Sequence, residues 1–440
     1  MFSNKQLRQL IFPLVIEQIL AVFMGMADTV MVSSYGEAAV SGISIVDTIS
    51  VLLIGLFGAM AAGGSVVAAQ YIGRNDRPKV ALAANQLFLA VGGISLVIMV
   101  VTLALNQQVL QLIYGNIDAD VMGNARTYFY LSSLSYPFLA FYNSSAALFR
   151  AIGNSKISMK TSLASNILNI VGNAIFIFGF NMGVFGAGLS TLISRIAAAV
   201  LMFIFLKGQP EIPMRFKFKF NKRMIQQILY IGVPNGIENS IFQLGKLLLS
   251  SLIASFGTIA IAANAVAGTV TSMETIPANA IGIAMITVVG QCVGAKELGQ
   301  ARKYVIKLLK IAYACIIVLN LALIPFLKPI CGIFNLTPET TDLAVKLMLY
   351  HSICCMLIHP LSFCLANGLR AANDVRFTMI VSASSMWIFR IVLAYVLGRF
   401  FGLGIMGIWI AMTVDWLVRA IFFTTRLLSG KWLKYANRNN

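Results

Sequence analysis

Polar side chains inside long apolar runs are the residues of this sequence whose types and spacing could do chemistry. Asp28 is a carboxylate in one such run, and Asn166, Asn169 and Asn173 stand at i, i+3 and i+7 of another, which puts them on one helix face. Thr191 adds a hydroxyl in the run that follows. An all-oxygen set around one carboxylate suits a hard monovalent cation or a proton. The alternative is a hydrogen-bond cluster that only holds helices together.

A second set of polar residues lies in apolar runs of the second half. We expect Lys246 and Glu274 to face a central cavity, where Glu274 would meet a cationic substrate and Lys246 would be its resting counter-ion. Gln243, one turn before Lys246, is a further cavity candidate. Three nearby charges are predicted to form a structural ion-pair cluster: Arg390, Asp415 and Arg419.

The elements that position these residues follow from composition. Of the 440 residues, 59% are apolar and 11% are charged, about half the usual charged share of a soluble protein. This indicates an integral membrane protein. The net charge of +18 could suggest nucleic acid, but long stretches without charge exclude a soluble nucleic-acid binder. Six cysteines without metal spacing and two histidines predict no metal centre and no cofactor beyond a coupling ion, H⁺ or Na⁺.

Runs of about 20 apolar residues predict transmembrane helices. We expect an all-α protein of twelve spans: 11–33, 46–70, 81–105, 127–149, 159–179, 184–206, 226–253, 261–291, 304–327, 343–367, 377–398 and 404–427. Lysines and arginines concentrate in alternate loops, so the positive-inside rule places both termini in the cytoplasm of a multi-pass cell-membrane protein. The basic residues also predict contact with anionic membrane lipids.

The chain is predicted to be a tandem duplication. At an offset of 221, Pro13 falls on Pro234 and Glu17 on Glu238, and further landmarks match nearly to the end. This predicts an N-lobe (1–206), a basic cytoplasmic linker (207–225) and a C-lobe (226–440). Six spans per lobe give two six-helix bundles in a parallel repeat, with a pseudo-two-fold axis along the membrane normal. Such lobes can rock about a central cavity as in secondary transporters, whereas no phosphate-binding loop of an ATP-driven pump occurs.

The duplication separates shared polar residues from those of one lobe. Glu17 and Glu238 are shared, and each follows a proline by four residues, so we predict a structural or gating role, for instance bonding amides freed at the kink. The cation or proton site is predicted from residues of the N-lobe alone. These are Asp28, Asn169, Asn173 and Thr191, opposite Leu249, Arg390, Ala394 and Met412 in the second half.

Several stretches resemble the MATE (multidrug and toxic compound extrusion) family: Met26–Met31 with Tyr35-Gly36, Leu148–Gly153, Asn169–Asn173 with Gly183–Thr191, Asn367–Ala372, and Gly407–Met412 with Asp415-Trp416 and Gly430–Trp432. The resemblance covers essentially the whole chain. It implies two bundles around a V-shaped cavity, efflux of organic cations in exchange for Na⁺ or H⁺, and a first-lobe cation site at Asp28, Asn169, Asn173 and Thr191. Many members have a second carboxylate where this chain has Asn173. The glutamate of another branch aligns near Phe242, so that site is not transferred to Glu238.

The predicted function is therefore secondary active multidrug efflux, an antiport of organic cations or amphipathic compounds against H⁺ or Na⁺. The alternative is a flippase or exporter of lipid-linked or other anionic substrates, for which Lys246 and Arg390 are the candidate cations. A major-facilitator transporter fits the repeat landmarks less well. The sequence shows neither clustered carboxylates nor a nucleophile–base pair, so it does not predict an enzyme. We expect a monomer that takes small molecules and binds no nucleic acid.

Overall fold

The structure is a computed structural model of the chain, and it describes residues 2–115, 117–212, 219–334 and 336–436. The side chains of residues 25–27 and 29 are not described. Part of the predicted linker, residues 213–218, lies outside the described residues.

The first half of the chain forms six long helices: α1 (Asn4–Val32), α2 (Glu37–Gly73), α3 (Arg77–Ala104), α4 (Ala119–Ala151), α5 (Ser155–Asn173) and α6 (Gly183–Lys207). A short helix, Asn106–Tyr114, connects α3 to α4, and the π-helical segment Ala174–Gly179 extends α5. α2 packs along α4, α4 packs along α6, and α1 packs along α5. The pairing of α1 with α5 brings Asp28 next to the asparagine stripe.

The second half repeats this plan with more interruptions: α7 (Lys222–Ala254), α8 in two pieces (Thr258–Glu274 and Ile276–Gly294), α9 (Leu298–Leu323), α10 (Pro338–His359), α11 (Val375–Ser385) and α12 (Gly404–Leu428). α8 is interrupted at Thr275, and Pro277 lies in the first turn of its second piece, where a missing N–H costs no helical hydrogen bond. π-helical segments follow α10 at Pro360–Cys364 and α11 at Met386–Val392 and Val396–Phe400.

The predicted all-α fold with twelve spans is confirmed, since each predicted span corresponds to one of these helices. Among the described residues, ten helical segments are long and apolar enough to cross a membrane. α4 and α7 fall short of that criterion because α4 is rich in serine and tyrosine and α7 carries Glu238 and Lys246. No strand occurs in the described part of the chain.

The chain divides into two compact units, a first unit that ends at Gly236 and a second unit that begins at Ile237. This division falls inside α7, while the lobe boundaries 1–206 and 226–440 stay a prediction from the sequence. In the second unit, one apolar cluster packs α7, α8, α10 and α12 together, with Trp409 among its large side chains.

The duplication is visible in the backbone. Gly36 and Gly257, related by the offset of 221, both precede a helix with φ near +90° (95° and 92°), a conformation that favours glycine. Asn75 and Lys296, also 221 apart, both adopt left-handed conformations with φ of 57° and 63°. The same turns thus recur with different side chains, which indicates that the repeat preserves backbone geometry.

Two further glycines of the repeat permit close helix packing. A Cβ on Gly407 of α12 would lie 2.7 Å from backbone atoms of Leu397 and Gly398. A Cβ on Gly186 of α6 would lie 3.0 Å from the backbone of Phe176. In each half, this glycine lets the last helix pack against the π-helical end of the helix before it, because no side chain separates the two backbones.

Candidate functional site

The four residues predicted for cation binding form one chain of hydrogen bonds in the first unit. Asn173 Nδ2 donates to Asp28 Oδ1 over 2.6 Å and lies 3.5 Å from Asn169 Oδ1. Asn169 Nδ2 in turn donates to Thr191 Oγ1 over 3.3 Å. The hydrogen bonds link α1, α5 and α6. The two asparagines are four residues apart in α5, which keeps both amides on the face that α1 and α6 contact.

The hydrogen-bond chain is buried and supported from behind. Asn169 and Asn173 are fully buried, and Thr191 is nearly so. The Ser190 hydroxyl donates to the backbone carbonyl of Asn169 over 2.7 Å. The side-chain oxygen of Asn173 has no hydrogen-bond partner among the described residues. A buried oxygen without a donor is costly, and it is also a ready ligand for a cation or a protonated carboxyl group.

Asp28 and Thr191 open onto a cavity of about 400 Å³ within the first unit. Asp47 of α2, Tyr128 of α4 and Arg195 of α6 line the same cavity. Two carboxylates against one guanidinium leave the ionised cavity with an excess of one negative charge. The cavity therefore favours a cation by its charge as well as by its oxygen ligands.

Asp47 and Arg195 were not predicted as site residues. The structure places Asp47, which stands at the start of the predicted second span, in the cavity. The duplication carried the missing signal. Asp47 lies opposite Gly268 and Arg195 opposite Trp416 at the offset of 221, so both charges belong to the first half alone.

The glutamates shared by the two halves pair with arginines that are also shared, since Arg150 falls on Arg370 at an offset of 220. Glu238 accepts hydrogen bonds from Arg370 Nη2 at 2.6 Å on both carboxylate oxygens. Glu17 lies 3.6 Å from Arg150 Nη1 and accepts a hydrogen bond from the Ser158 hydroxyl over 2.9 Å. The carboxylates thus bind arginine and serine side chains rather than the backbone amides suggested by the nearby prolines.

A separate cavity of about 460 Å³ lies within the second unit. Lys246 and Arg390 line it, and the ring centroid of Phe242 lies 5.0 Å from the charged group of each. Gln243 is outside its lining. Its aromatic side chains are Phe242, Phe363, Trp409, Trp416 and the rings of His351 and His359, and it is also lined by the hydroxyl and amide side chains of Ser250, Ser272, Thr271, Thr275, Asn264 and Asn279.

Glu274 lies behind this cavity rather than in its lining. It is fully buried and accepts a hydrogen bond from the Ser352 hydroxyl over 2.8 Å. Its other oxygen lies 2.7 Å from Nδ1 of His351. The structure therefore pairs Glu274 with His351, whereas the sequence suggested Lys246 as its counter-ion.

The predicted ion-pair cluster surrounds Asp415. Its Oδ1 accepts hydrogen bonds from Arg419 Nε at 2.8 Å and from the Ser385 hydroxyl at 2.6 Å. Its Oδ2 lies 3.6 Å from Arg390 Nη1. Both arginines contact the one carboxylate, so the cluster carries an excess of positive charge beside the cavity.

The MatE family model matches the chain twice, over residues 13–175 and 234–396. The second match begins and ends 221 residues after the first, which is the offset of the duplication. The two matches together cover well over half of the chain. They place Asp28, Asn169 and Asn173 in the first match and Lys246, Glu274 and Arg390 in the second.

One relative is the probable multidrug resistance protein NorM of Thermotoga maritima, 30% identical over 98% of this chain and 94% of that protein. A crystal structure of MATE in complex with MaL6 matches with a TM-score of 0.90 at 18% identity, covering 97% of both chains. A MOP superfamily transporter from Pyrococcus furiosus also matches with a TM-score of 0.90 at 18% identity, over 98% of this chain and 96% of that one. Its description states that reverse polarity of the binding pocket suggests a different function.

Proposed function

We propose that this chain, which belongs to the MATE family of transporters, exports amphipathic organic compounds by antiport against H⁺ or Na⁺. The chain is a multi-pass membrane transporter and not an enzyme. The multidrug relatives support efflux as the direction of transport. The proposal adds the coupling site, the substrates and the location: a monomer in the cell membrane, in contact with its lipids and with both termini in the cytoplasm.

The observation that carries the proposal is the hydrogen-bonded set Asp28–Asn173–Asn169–Thr191 at the edge of the first unit's cavity. Carboxylate, amide and hydroxyl oxygens are the ligands that a hard cation requires, and the same carboxylate can accept a proton. Asp28 and Thr191 of the set line a cavity with an excess of negative charge, which attracts either ion. We therefore assign ion coupling to Asp28, with Asn169, Asn173 and Thr191 as supporting ligands.

The orientation of the Asn173 amide suggests how ion binding is sensed. In the structure its nitrogen donates to Asp28, and its oxygen has no partner among the described residues. A protonated Asp28 needs an acceptor for its O–H, and a Na⁺ on Asp28 needs a further oxygen ligand, so either ion favours the Asn173 oxygen over the Asn173 N–H. A half-turn of the amide presents that oxygen, so ion binding exchanges one contact between α1 and α5 for another.

Coupling requires that the ion and the substrate favour different states of the transporter. An ion that binds one arrangement of Asp28 and Asn173 more tightly shifts the population toward it, and a substrate that prefers the other arrangement shifts it back. A shift from 1:99 to 99:1 requires about 5.5 kcal/mol of differential affinity. In one state the Asp28 carboxylate binds the cation, and in the other the Asn173 N–H excludes it. This difference can supply a large part of the required differential affinity.

A second candidate function is the export or flipping of lipid-linked or other anionic substrates. It is favoured by the cavity of the second unit, where Lys246 and Arg390 line the wall and Glu274 does not. The Pyrococcus furiosus transporter, described as having reverse pocket polarity, supports this candidate by analogy of fold. Ion coupling at Asp28 serves either substrate class.

Transport into proteoliposomes tests the proposal. The purified chain is reconstituted, and the movement of ethidium against its own gradient is followed under an imposed Na⁺ gradient or an imposed pH gradient. We expect one of the two gradients to drive ethidium, and an ionophore that collapses that gradient to stop it. If neither gradient moves ethidium while one of them drives an anionic dye, the second candidate replaces the first.

A further inference from the structure

Three polar side chains that line the cavity of the second unit have atoms without a hydrogen-bond partner among the described residues. These atoms are Nε1 of Trp416, Nδ1 of His359, and Nε and Nη1 of Arg390. Each of the three side chains is more than nine-tenths buried, with exposures of 4%, 4% and 7%. Buried polar groups are normally satisfied, and leaving one unpaired is unfavourable. Arg390 Nη1 lies 3.6 Å from Asp415 Oδ2, which also lacks a partner among the described residues, and His359 Nδ1 donates or accepts according to its tautomer. The Nε of Arg390 and the indole N–H of Trp416 can only donate, so they point to a ligand that brings acceptors.

The charges around the cavity favour the same kind of ligand. Lys246 forms no ion pair with any described residue, and its ammonium lies over the ring of Phe242. Both nearby arginines contact the same carboxylate, Asp415: Arg419 donates a hydrogen bond to it, and Arg390 lies 3.6 Å from it. With Glu274 beside His351 also counted, the three cations Lys246, Arg390 and Arg419 stand against two carboxylates, which leaves an excess of one positive charge. A ligand with one negative charge would balance it.

The aromatic rings of the cavity define the rest of the ligand. His359 stacks on Phe363 with ring centroids 4.6 Å apart, and Trp416 meets both rings edge-on. Trp409 and Phe242 form other parts of the wall. Aromatic walls of this kind bind flat apolar groups by stacking and edge contacts. The volume of about 460 Å³ suits a small organic molecule.

We propose that the cavity of the second unit binds the anionic group of a small aromatic molecule, a carboxylate, sulfonate or phosphate held by Lys246, Arg390 and the indole N–H of Trp416. The inference rests on the second candidate function, export of anionic substrates, and specifies the substrate class for it. Charge-assisted hydrogen bonds from lysine and arginine supply the affinity for the anion, and the indole N–H adds direction. The aromatic rings hold the apolar body of the ligand.

Binding to the purified full chain tests this inference without transport. The probe is 9-anthracenecarboxylate, compared with its neutral amide, 9-anthracenecarboxamide, which has the same ring system. Affinities are measured by isothermal titration in nanodiscs of phosphatidylcholine. We expect wild type to bind the carboxylate at least about tenfold more tightly than the amide, the preference expected from one charge-assisted hydrogen bond.

Two variants identify the residues. Lys246→Gln removes the charge of an exposed side chain, and Trp416→Phe removes the indole N–H while keeping a ring. Each variant should lower the affinity for 9-anthracenecarboxylate by about fivefold to tenfold and change the affinity for the amide probe by less than about twofold. The control Lys310→Gln removes the same charge from an exposed position on α9 and should leave both affinities unchanged. Equal affinity for carboxylate and amide in wild type would overturn the inference, as would a Lys246→Gln variant with unchanged carboxylate binding.

Binding and transport fail separately. If the carboxylate binds through Lys246 but no ion gradient moves any dye, the anion site stands and the antiport proposal is wrong. If a gradient drives ethidium and the carboxylate shows no preference over its amide, the antiport proposal stands and the anion site is wrong. Phosphatidylglycerol nanodiscs then distinguish the source of the anion. Competition with the probe that depends on Lys246 would identify a lipid headgroup as an occupant.

Discussion

Asn173 donates a hydrogen bond to Asp28 over 2.6 Å, which joins the end of α5 to α1 across the predicted ion site. The donor occupies one carboxylate oxygen, while the oxygen of the same amide has no partner among the described residues. The Asn173 side chain therefore presents its N–H to Asp28 when no ion is bound, and it can present its oxygen when an ion is bound.

The first prediction concerns this amide. Asn173→Ala removes both the donor and the oxygen, so the apparent affinity for the driving ion should fall by about tenfold or more, as expected for a hydrogen bond to a charged group. The measurement is the ion concentration that gives half-maximal dye transport in proteoliposomes. Asn320→Ala is the matched control, since Asn320 is also fully buried with a side-chain oxygen unpaired among the described residues, but lies in α9 of the second unit and donates to the backbone carbonyl of Ile316. An equal effect of both substitutions would argue against a specific role for Asn173.

A second prediction concerns Arg195, the positive charge in the cavity with Asp28 and Asp47. Arg195→Gln removes a charge that repels cations, so the driving ion should bind severalfold more tightly and leave more slowly. Ion-driven transport should then saturate at a lower ion concentration and reach a lower maximal rate. Arg126→Gln, which loses the same charge outside the cavity lining, should match wild type. Weaker ion binding in Arg195→Gln would show that the guanidinium supports the site by packing or hydrogen bonding instead.

A third prediction concerns the repeated glutamate–arginine pairs. A double-mutant cycle of Glu238→Gln and Arg370→Gln should give a coupling energy of about 1–3 kcal/mol, since Arg370 bonds both oxygens of a largely buried carboxylate. The matching cycle for Glu17 and Arg150 should give a smaller value, because that ion pair is longer, at 3.6 Å. Thermal unfolding in detergent measures both. Equal coupling in the two pairs would contradict the geometric difference.

A fourth prediction tests the packing of the repeat. Gly407→Ala places a methyl group 2.7 Å from the backbone of the π-helical end of α11, so it should destabilise the fold by about 1–3 kcal/mol. Gly93→Ala in α3 meets no atom within 4 Å and should be neutral or stabilising by up to about 1 kcal/mol. Apparent melting temperatures in detergent compare the two. A Gly407→Ala variant as stable as wild type would show that the helices can move apart at little cost.

Much of the fold and the core of the candidate site could be predicted from the sequence. Apolar runs determine the spans because only helices of that length satisfy the backbone in lipid. The stripe of Asn169 and Asn173 follows from helical periodicity, and the duplication separated Asp28 from polar residues shared by both halves. The structure places these residues in one hydrogen-bond chain.

What the sequence did not provide are contacts between distant helices. Asp47 and Arg195 reach the cavity because of how α2 and α6 are rotated against α4, which the sequence alone does not fix. Glu274 meets His351 because α10 packs on the first piece of α8, although spacing along the chain suggested Lys246. In both cases the residue types were visible, and the missing information was the helix face that each one occupies.

The central claim is that Asp28 binds the coupling ion, and Asp28→Asn tests it most directly. The side-chain oxygen of the substituted residue can still accept the hydrogen bond from Asn173. The fold should therefore be preserved while the negative charge is lost. We expect ion-driven ethidium transport in proteoliposomes to fall to the level of protein-free liposomes, with ethidium binding to the purified variant retained. Asp120→Asn, an exposed acid at the start of α4, should transport as wild type does. Undiminished ion-driven transport by Asp28→Asn would contradict the account and move the coupling site elsewhere in the chain.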